Sequence, residues 1–161
     1  MADLFSEMKL RGITVEMCPE IVKDWAWENR FPTKYEQFYL IGKGIQQQAR
    51  LFNKVEYIIS DSPVLISSFY TYYLNNVDNL TATVKEFYKM AKLDGIVIKN
   101  FFLTRNKPYE PNGRYQTEEE SNRIAEHLLI YMGAHDVQYD VLDCKDRDRV
   151  KEVFKAVGIK W

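Results

Sequence analysis

The fold is decided by the stretch Tyr57-Ile58-Ile59-Ser60-Asp61-Ser62-Pro63, in which an apolar strand ends at an acidic residue. Apolar residues dominate positions 55–59, and Pro63 has no backbone N–H with which to continue a ladder. In an open α/β sheet, ligands bind just beyond the carboxyl ends of the strands. Asp61 is therefore a candidate for holding a metal or accepting a proton. The alternative is a turn aspartate that simply precedes a proline.

Outward from this strand, predicted strands and helices alternate along the chain. Strands are predicted at 13–17, 55–60, 95–103 and 137–142, and helices at 3–11, from 19 onward, and at 33–52, 64–74, 79–93, 117–133 and 146–157. Thr33 with Glu36 and Thr117 with Glu120 form capping boxes that open two of these helices. The apolar face predicted for helix 33–52 consists of Phe38, Ile41, Ile45, Ala49 and Phe52. The alternation predicts one α/β domain over residues 1–161, with a parallel sheet and helices on both faces.

Composition narrows the function classes. The chain has 161 residues, a net charge of -1 and 46% hydrophobic residues, values that are ordinary for a soluble globular protein. The near-zero charge gives no basic field, so we expect no broad nucleic-acid binding. Cys18 and Cys144 lie far apart in sequence and favour a reduced, cytoplasmic protein over a disulfide framework or zinc site. No signal peptide or membrane-length apolar run is visible, so no membrane partner is expected.

The loop 104–117 carries the strongest functional signal. It lies between an apolar predicted strand and a capped helix, and its prolines, glycine and asparagines keep it out of regular structure. Arg105, Lys107 and Arg114 place three cations just past the end of a strand. Arginine there can meet phosphate oxygens with paired donors, and a mobile loop of this kind can act as a lid that excludes water. The alternative is an exposed polar loop whose cations are balanced by Glu110 and Glu118.

Four segments together resemble the bacterial and bacteriophage P-loop kinases, the small AAA-type ATPase proteins related to the kinase domain of the nicotinamide-riboside kinase regulator. The lid motif is the most specific of the four. The segments are Arg105-x-x-Pro108-Tyr109-x-x-x-Gly113-Arg114-x-Gln116-Thr117-Glu118-Glu119-Glu120, Cys18-Pro19-Glu20-Ile21-x-Lys23-Asp24, Ser60-Asp61-Ser62-Pro63 and Gln46-Gln47-Gln48-Ala49-Arg50. The resemblance implies transfer of the ATP γ-phosphate to a nucleoside, nucleotide or similar acceptor, with ATP and Mg²⁺ as cofactors.

The resemblance also implies site residues. Glu20 is expected to orient or deprotonate the acceptor hydroxyl, and Asp61 to act as the magnesium-side acid or general base. Arg105 and Arg114 are expected to stabilise the transferring phosphoryl group, because a guanidinium fork suits phosphate. The expected substrate-binding residues are Lys23, Lys107 and Arg50 for phosphates, and Gln46 and Gln47 for a base edge. Each has a plainer alternative as a strand-end cap, a helix-start acid or a solvated surface residue.

One expected motif is absent from the sequence. A P-loop needs a glycine, four residues, then Gly-Lys-Ser or Gly-Lys-Thr, and none of the seven glycines meets that spacing. The resemblance also places a first strand in the middle of the sheet, between segments 55–60 and 95–103. Without that strand, the sheet edges must close up or find a partner, either a homo-oligomer or another chain. We expect weak or absent turnover. The chain is then a truncated kinase, a binding relative without catalysis, or an interaction module completed by another chain.

Overall fold

The computed structural model describes residues 1–75, 79–143 and 146–161, and within them it contains seven helices and four strands. The strands are β1 (Val15–Cys18), β2 (Tyr57–Ser60), β3 (Phe101–Leu103) and β4 (Asp140–Leu142). The helices are α1 (Ala2–Leu10), α2 (Val22–Trp27), α3 (Glu36–Ala49), α4 (Val64–Asn75), α5 (Asn79–Leu93), α6 (Glu118–Ala134) and α7 (Asp146–Ala156). Every predicted helix and strand is present, with shifted boundaries. The α/β class is confirmed.

The strands form two separate parallel pairs, not the one sheet that the sequence predicted. In the first pair Val15 lies opposite Tyr57, and in the second Phe101 lies opposite Asp140. Within the described residues, no ladder joins β2 to β3. The strand predicted at 95–103 is correspondingly shorter, because only its last three residues pair with β4.

Helices cover both faces of the first pair. On one face α1 and α7 build a core from Met8, Val15, Val150 and Phe154. On the other face the Cys18 thiol donates to the carbonyl of Gln47 in α3, and Val15 and Cys18 point to opposite sides because side chains alternate along a strand. A second core joins α3, α4, α5 and α6 through Ile41, Val64, Leu65, Phe69, Leu80, Val84, Tyr131 and Met132.

The reciprocal hydrogen bonds of both predicted capping boxes are present, but only Thr117 is the N-cap of its helix, because α3 begins at Glu36 with Tyr35 as its N-cap. Thr117 N donates to Glu120 Oε2 at 2.8 Å, and Glu120 N donates to Thr117 Oγ1 at 3.2 Å. The equivalent bonds between Thr33 and Glu36 are 2.8 and 3.3 Å long. Each box satisfies backbone donors that the first turn of a helix cannot pair internally. The box at Thr117 fixes where α6 begins, and the bonds between Thr33 and Glu36 close the turn that precedes α3; both helices line the candidate site.

The buried stripe of α3 differs from the predicted one. Gln37, Leu40 and Ile41 are buried, whereas Phe38 is 59% exposed. The reason is the close approach of α4: a Cβ added at Gly44 would lie 3.3 Å from Val64 Cγ2. Gln37, Leu40, Ile41 and Gly44 follow the spacing of one helix face, so the face with the glycine packs inward. The prediction that Phe38 lies in the core is therefore wrong.

Cys18 is a free, buried thiol, and Cys144 lies outside the described residues. Burial raises the pKa of the Cys18 thiol, which keeps it protonated and unreactive at neutral pH. In the described part of the chain, no helix is long and apolar enough to cross a membrane.

Candidate functional site

A cavity of about 780 Å³ opens where β1 and β2 end. Its walls come from the segments that follow these two strands, from α3 and α4, and from the last part of the loop 104–117. Glu20, Lys23, Asp61 and Arg114 all line it. The loop residues predicted after three different strands therefore meet in one place.

The four charged residues interact through space. The pKa of Glu20 is raised, first by burial and then by the like charge of Asp61, while Lys23 and Arg114 act in the opposite direction. Glu20 is half-buried, whereas Asp61, Lys23 and Arg114 line the cavity with exposed side chains. Such an arrangement suits a ligand that carries both a hydroxyl, which a carboxylate can accept a hydrogen bond from, and an anionic group, which the cations can bind.

The loop that carries Arg114 is fastened to α2 and the segment after it. Lys23 Nζ donates to the carbonyl of Gly113 at 3.0 Å, and the Tyr115 hydroxyl donates to the carbonyl of Arg30 at 2.6 Å. Gly113 has a φ of +69°, and an added Cβ would lie 2.7 Å from the Trp27 ring. Only glycine fits that conformation and that contact without displacing one of the partners. These contacts hold the loop over the cavity.

The remaining predicted site residues divide into two groups. Gln47 lines the cavity. The others are not among its lining residues: Arg105, Lys107, Gln46 and Arg50.

Arg105 is engaged elsewhere. Its guanidinium donates to Ser121 Oγ at 2.6 Å and to Asn122 Oδ1 at 2.8 Å, so it ties the loop to the first turns of α6. Gln46 accepts a hydrogen bond from Lys43 on the same helix. The sequence did not predict that Arg114 lines the cavity while Arg105 binds α6.

The sequence reasoning missed Gln37. It is 4% exposed and lines the cavity. A side-chain amide carries both donors and an acceptor, so one that lines a cavity is suited to bind a polar ligand. The helical spacing of Gln37 with Gly44 was the signal that could have revealed it. Tyr70 also lines the cavity, and its pKa is raised by burial and then by Glu20.

The residues that line the cavity can be compared with the groups that usually bind Mg²⁺ and ATP. In the part of the chain that the structure describes, no group of three or more His, Cys, Asp or Glu side chains is placed to hold a metal. Magnesium usually needs only one or two carboxylates together with phosphate oxygens and water, so Asp61 and Glu20 fit Mg²⁺ only when a phosphate ligand shares it. No glycine-rich loop of the kind that surrounds the phosphates of ATP occurs in the given sequence.

The raised pKa of Glu20 gives a testable pH dependence. The folded chain holds the Glu20 proton more tightly than the unfolded chain, so stability falls as pH rises from the ordinary pKa of 4.5 toward the folded value. Glu20→Gln removes the carboxyl group, and with it this loss of stability at higher pH. We expect the stability of the variant relative to wild type to increase between about pH 4 and about pH 7, as measured by urea unfolding.

The matched control for this experiment is Glu56→Gln. The backbone N and the hydroxyl of Thr14 hydrogen-bond the Glu56 carboxylate, which lowers its pKa. The pH dependence is therefore opposite to that of Glu20. The Glu56 carboxylate stabilises wild type relative to Glu56→Gln above the unfolded pKa of 4.5, and this stabilisation is lost as pH falls through the folded value. A Glu20→Gln difference that does not change with pH would contradict the burial and charge crowding described above.

Comparisons of the chain with protein-family models, with curated proteins and with solved structures found no match.

Proposed function

We propose that this cavity is the acceptor site of a P-loop kinase-like protein, which binds a nucleoside, a nucleotide or a similar hydroxyl-bearing ligand. The observation that carries the proposal is the convergence of Glu20, Asp61 and Arg114 on one cavity. The sequence resemblance assigned these same residues to acceptor, metal and phosphoryl group. Their meeting at the ends of β1 and β2 also agrees with the general position of ligand sites in open α/β sheets.

Each residue has a distinct role in this proposal. Glu20, with its raised pKa, accepts a hydrogen bond from the acceptor hydroxyl and can take up its proton. Asp61 would hold Mg²⁺ together with a phosphate-bearing ligand, and the ion would supply charge neutralisation there. Arg114 and Lys23 bind the anionic part of the ligand from the loop side.

Side chains of α3 and α4 bind the uncharged part of the ligand in this proposal. The Gln37 amide offers one acceptor and two donor hydrogens, which matches the polar edge of a nucleobase. The ring of Tyr70 lines the same cavity and offers an apolar surface for the base. Gln37 thereby takes the role that the sequence reasoning gave to Gln46, while Gln47 remains a second candidate.

The test is calorimetric titration of the full chain with nucleosides and nucleoside monophosphates, with and without Mg²⁺. We expect at least one of these ligands to bind, and Gln37→Leu to weaken its binding more than Gln46→Leu, the matched control on the same helix. Absence of binding by all of them would overturn the proposal. A parallel assay of ATP consumption with the bound acceptor tests turnover. Rapid consumption would refute the expectation that turnover is weak or absent.

A second candidate function is a module that binds or sequesters a nucleotide without phosphoryl transfer. The observation that favours it is the absence of a glycine-rich phosphate loop from the sequence. Tight ligand binding that Arg114→Ala weakens, with no ATP consumption under any condition, would select this function over catalysis.

A further inference from the structure

A third cation, Arg123, lines the cavity in addition to Lys23 and Arg114. It is an exposed residue in the second turn of α6, and Glu120 and Ile124 of the same helix line the cavity beside it. Positions three and four residues apart lie on one face of a helix, so these residues form one wall of the cavity. Lys23 belongs to α2 and Arg114 to the loop, so the cations reach the cavity from three separate elements.

Contacts with α4 hold this face of α6 against the cavity. Ile124, the residue after Arg123, packs against the core that joins α3, α4, α5 and α6. One turn after Arg123, the His127 ring lies 5.2 Å from the ring of Tyr73 in α4, and Tyr73 also lines the cavity. Because Arg123 and His127 are four residues apart, the Arg123 side chain leaves α6 on the side that meets α4.

The carboxylate of Glu120, one turn before Arg123, is used by the start of α6. Thr117 N donates to Glu120 Oε2 at 2.8 Å. The pKa of Glu120 is lowered first by this backbone hydrogen bond and then by the Thr117 side chain, and the charge of Arg123 contributes least. The Arg123 guanidinium is therefore not committed to Glu120, and it can bind a ligand in the cavity.

The charges of the cavity show what a third cation adds. Glu20 and Asp61 carry two negative charges when both are ionised, and Lys23 and Arg114 balance them. A phosphate monoester carries a charge of about −1.5 to −2 at neutral pH, so these four residues alone offer it no surplus positive charge. Arg123 supplies that surplus, and a guanidinium can bind two phosphate oxygens with parallel hydrogen bonds.

We propose that Arg123 binds the phosphate of the ligand, and that the preferred ligand is therefore a nucleoside monophosphate and not a free nucleoside. This inference rests on the function proposed above and narrows its ligand class to molecules that already carry a phosphate. Arg105, which the sequence resemblance assigned to phosphate, is bound to Ser121 and Asn122 directly before Arg123. Arg123 thus takes the phosphate-binding role that was expected of Arg105.

The test is calorimetric titration of the full chain with a nucleoside and with its 5′-monophosphate at one salt concentration. We expect wild type to bind the monophosphate about tenfold more tightly or better. Arg123→Gln is expected to weaken monophosphate binding about tenfold or more and to change nucleoside binding by about twofold or less. An equal loss for both ligands would overturn the inference, because Arg123 would then affect the shape of the cavity and not the phosphate.

Two further variants separate a specific contact from general charge. Arg105→Gln removes the same charge from a guanidinium that is bound to α6, and we expect it to change the binding of either ligand by about twofold or less. Arg123→Lys keeps the charge but loses the paired donors, so it is expected to restore only part of the monophosphate affinity. Equal losses in Arg105→Gln and Arg123→Gln would overturn the inference.

The same titrations distinguish this inference from the proposed function. Equal affinity of wild type for the nucleoside and the monophosphate would overturn the inference and leave the proposed function intact. Absence of binding by both ligands would overturn the two together. Thermal unfolding of each variant checks that it is folded, which we expect because Arg123 is exposed.

Discussion

Replacing Arg114 with alanine is expected to weaken binding of a nucleoside monophosphate tenfold or more, while Arg105→Ala changes it by about twofold or less. The reason is geometric: Arg114 lines the cavity, and Arg105 is occupied by Ser121 and Asn122. A hydrogen bond to a charged group contributes roughly 1.5–3 kcal/mol, which corresponds to at least about tenfold in affinity. The measurement is calorimetric titration of both variants under the same salt conditions.

This variant pair is well matched. Both arginines lie in the same loop, and both guanidinium groups lie over the Tyr109 ring, at 5.2 Å for Arg105 and 5.6 Å for Arg114. The change in net charge is therefore the same for the two variants. If Arg105→Ala weakened binding as much as Arg114→Ala, the ligand would be responding to overall charge, and the cavity would lose its assigned role.

Phe154→Ala is expected to lower the free energy of unfolding by about 3–5 kcal/mol, a large share of the stability of a domain this size. Phe154 is fully buried at 0% exposure and packs with Met8, Val15 and Val150 in the core that joins α1 and α7 to the strands. The ring also lies beneath the guanidinium of Arg11, at 4.9 Å, and meets the Trp161 ring edge-on. Urea unfolding of the variant measures the loss.

The control for Phe154 is Phe38→Ala, which removes the same side chain from the exposed surface of α3. We expect this change to alter the unfolding free energy by no more than about 0.5 kcal/mol. If the two substitutions lowered the free energy of unfolding equally, this would contradict the described packing of α7 against the first strand pair.

Much of the fold could be predicted because its signals are local. The helix start at Thr117 depends on that residue and its neighbour three positions later, and the positions of Glu20 and Asp61 follow from the ends of β1 and β2. That Glu20 and Asp61 share a cavity follows from the parallel pairing of β1 and β2, since parallel neighbours deliver the loops after them to one edge.

What could not be predicted depends on contacts between distant segments. The rotation of α3 that buries Gln37 is decided by the fit of Gly44 against Val64 in α4. The attachment of Arg105 to Ser121 and Asn122 is decided by how the loop meets α6. Strand pairing is similarly non-local: the apolar run before Phe101 has the composition of a strand, but a ladder needs a neighbour, and β4 supplies one only from Phe101 onward.

The contact between Gly113 and the Trp27 ring has a practical consequence for kinetics. Indole emission depends on its surroundings, and this ring lies against the backbone of the loop that carries Arg114. Trp25 and Trp161 have other ring neighbours, Tyr39 and Phe154, so a variant with phenylalanine at both positions would retain a single fluorophore at the loop. The chain therefore contains its own optical probe, with which stopped-flow mixing can follow changes at this loop when a ligand is added, without an attached dye.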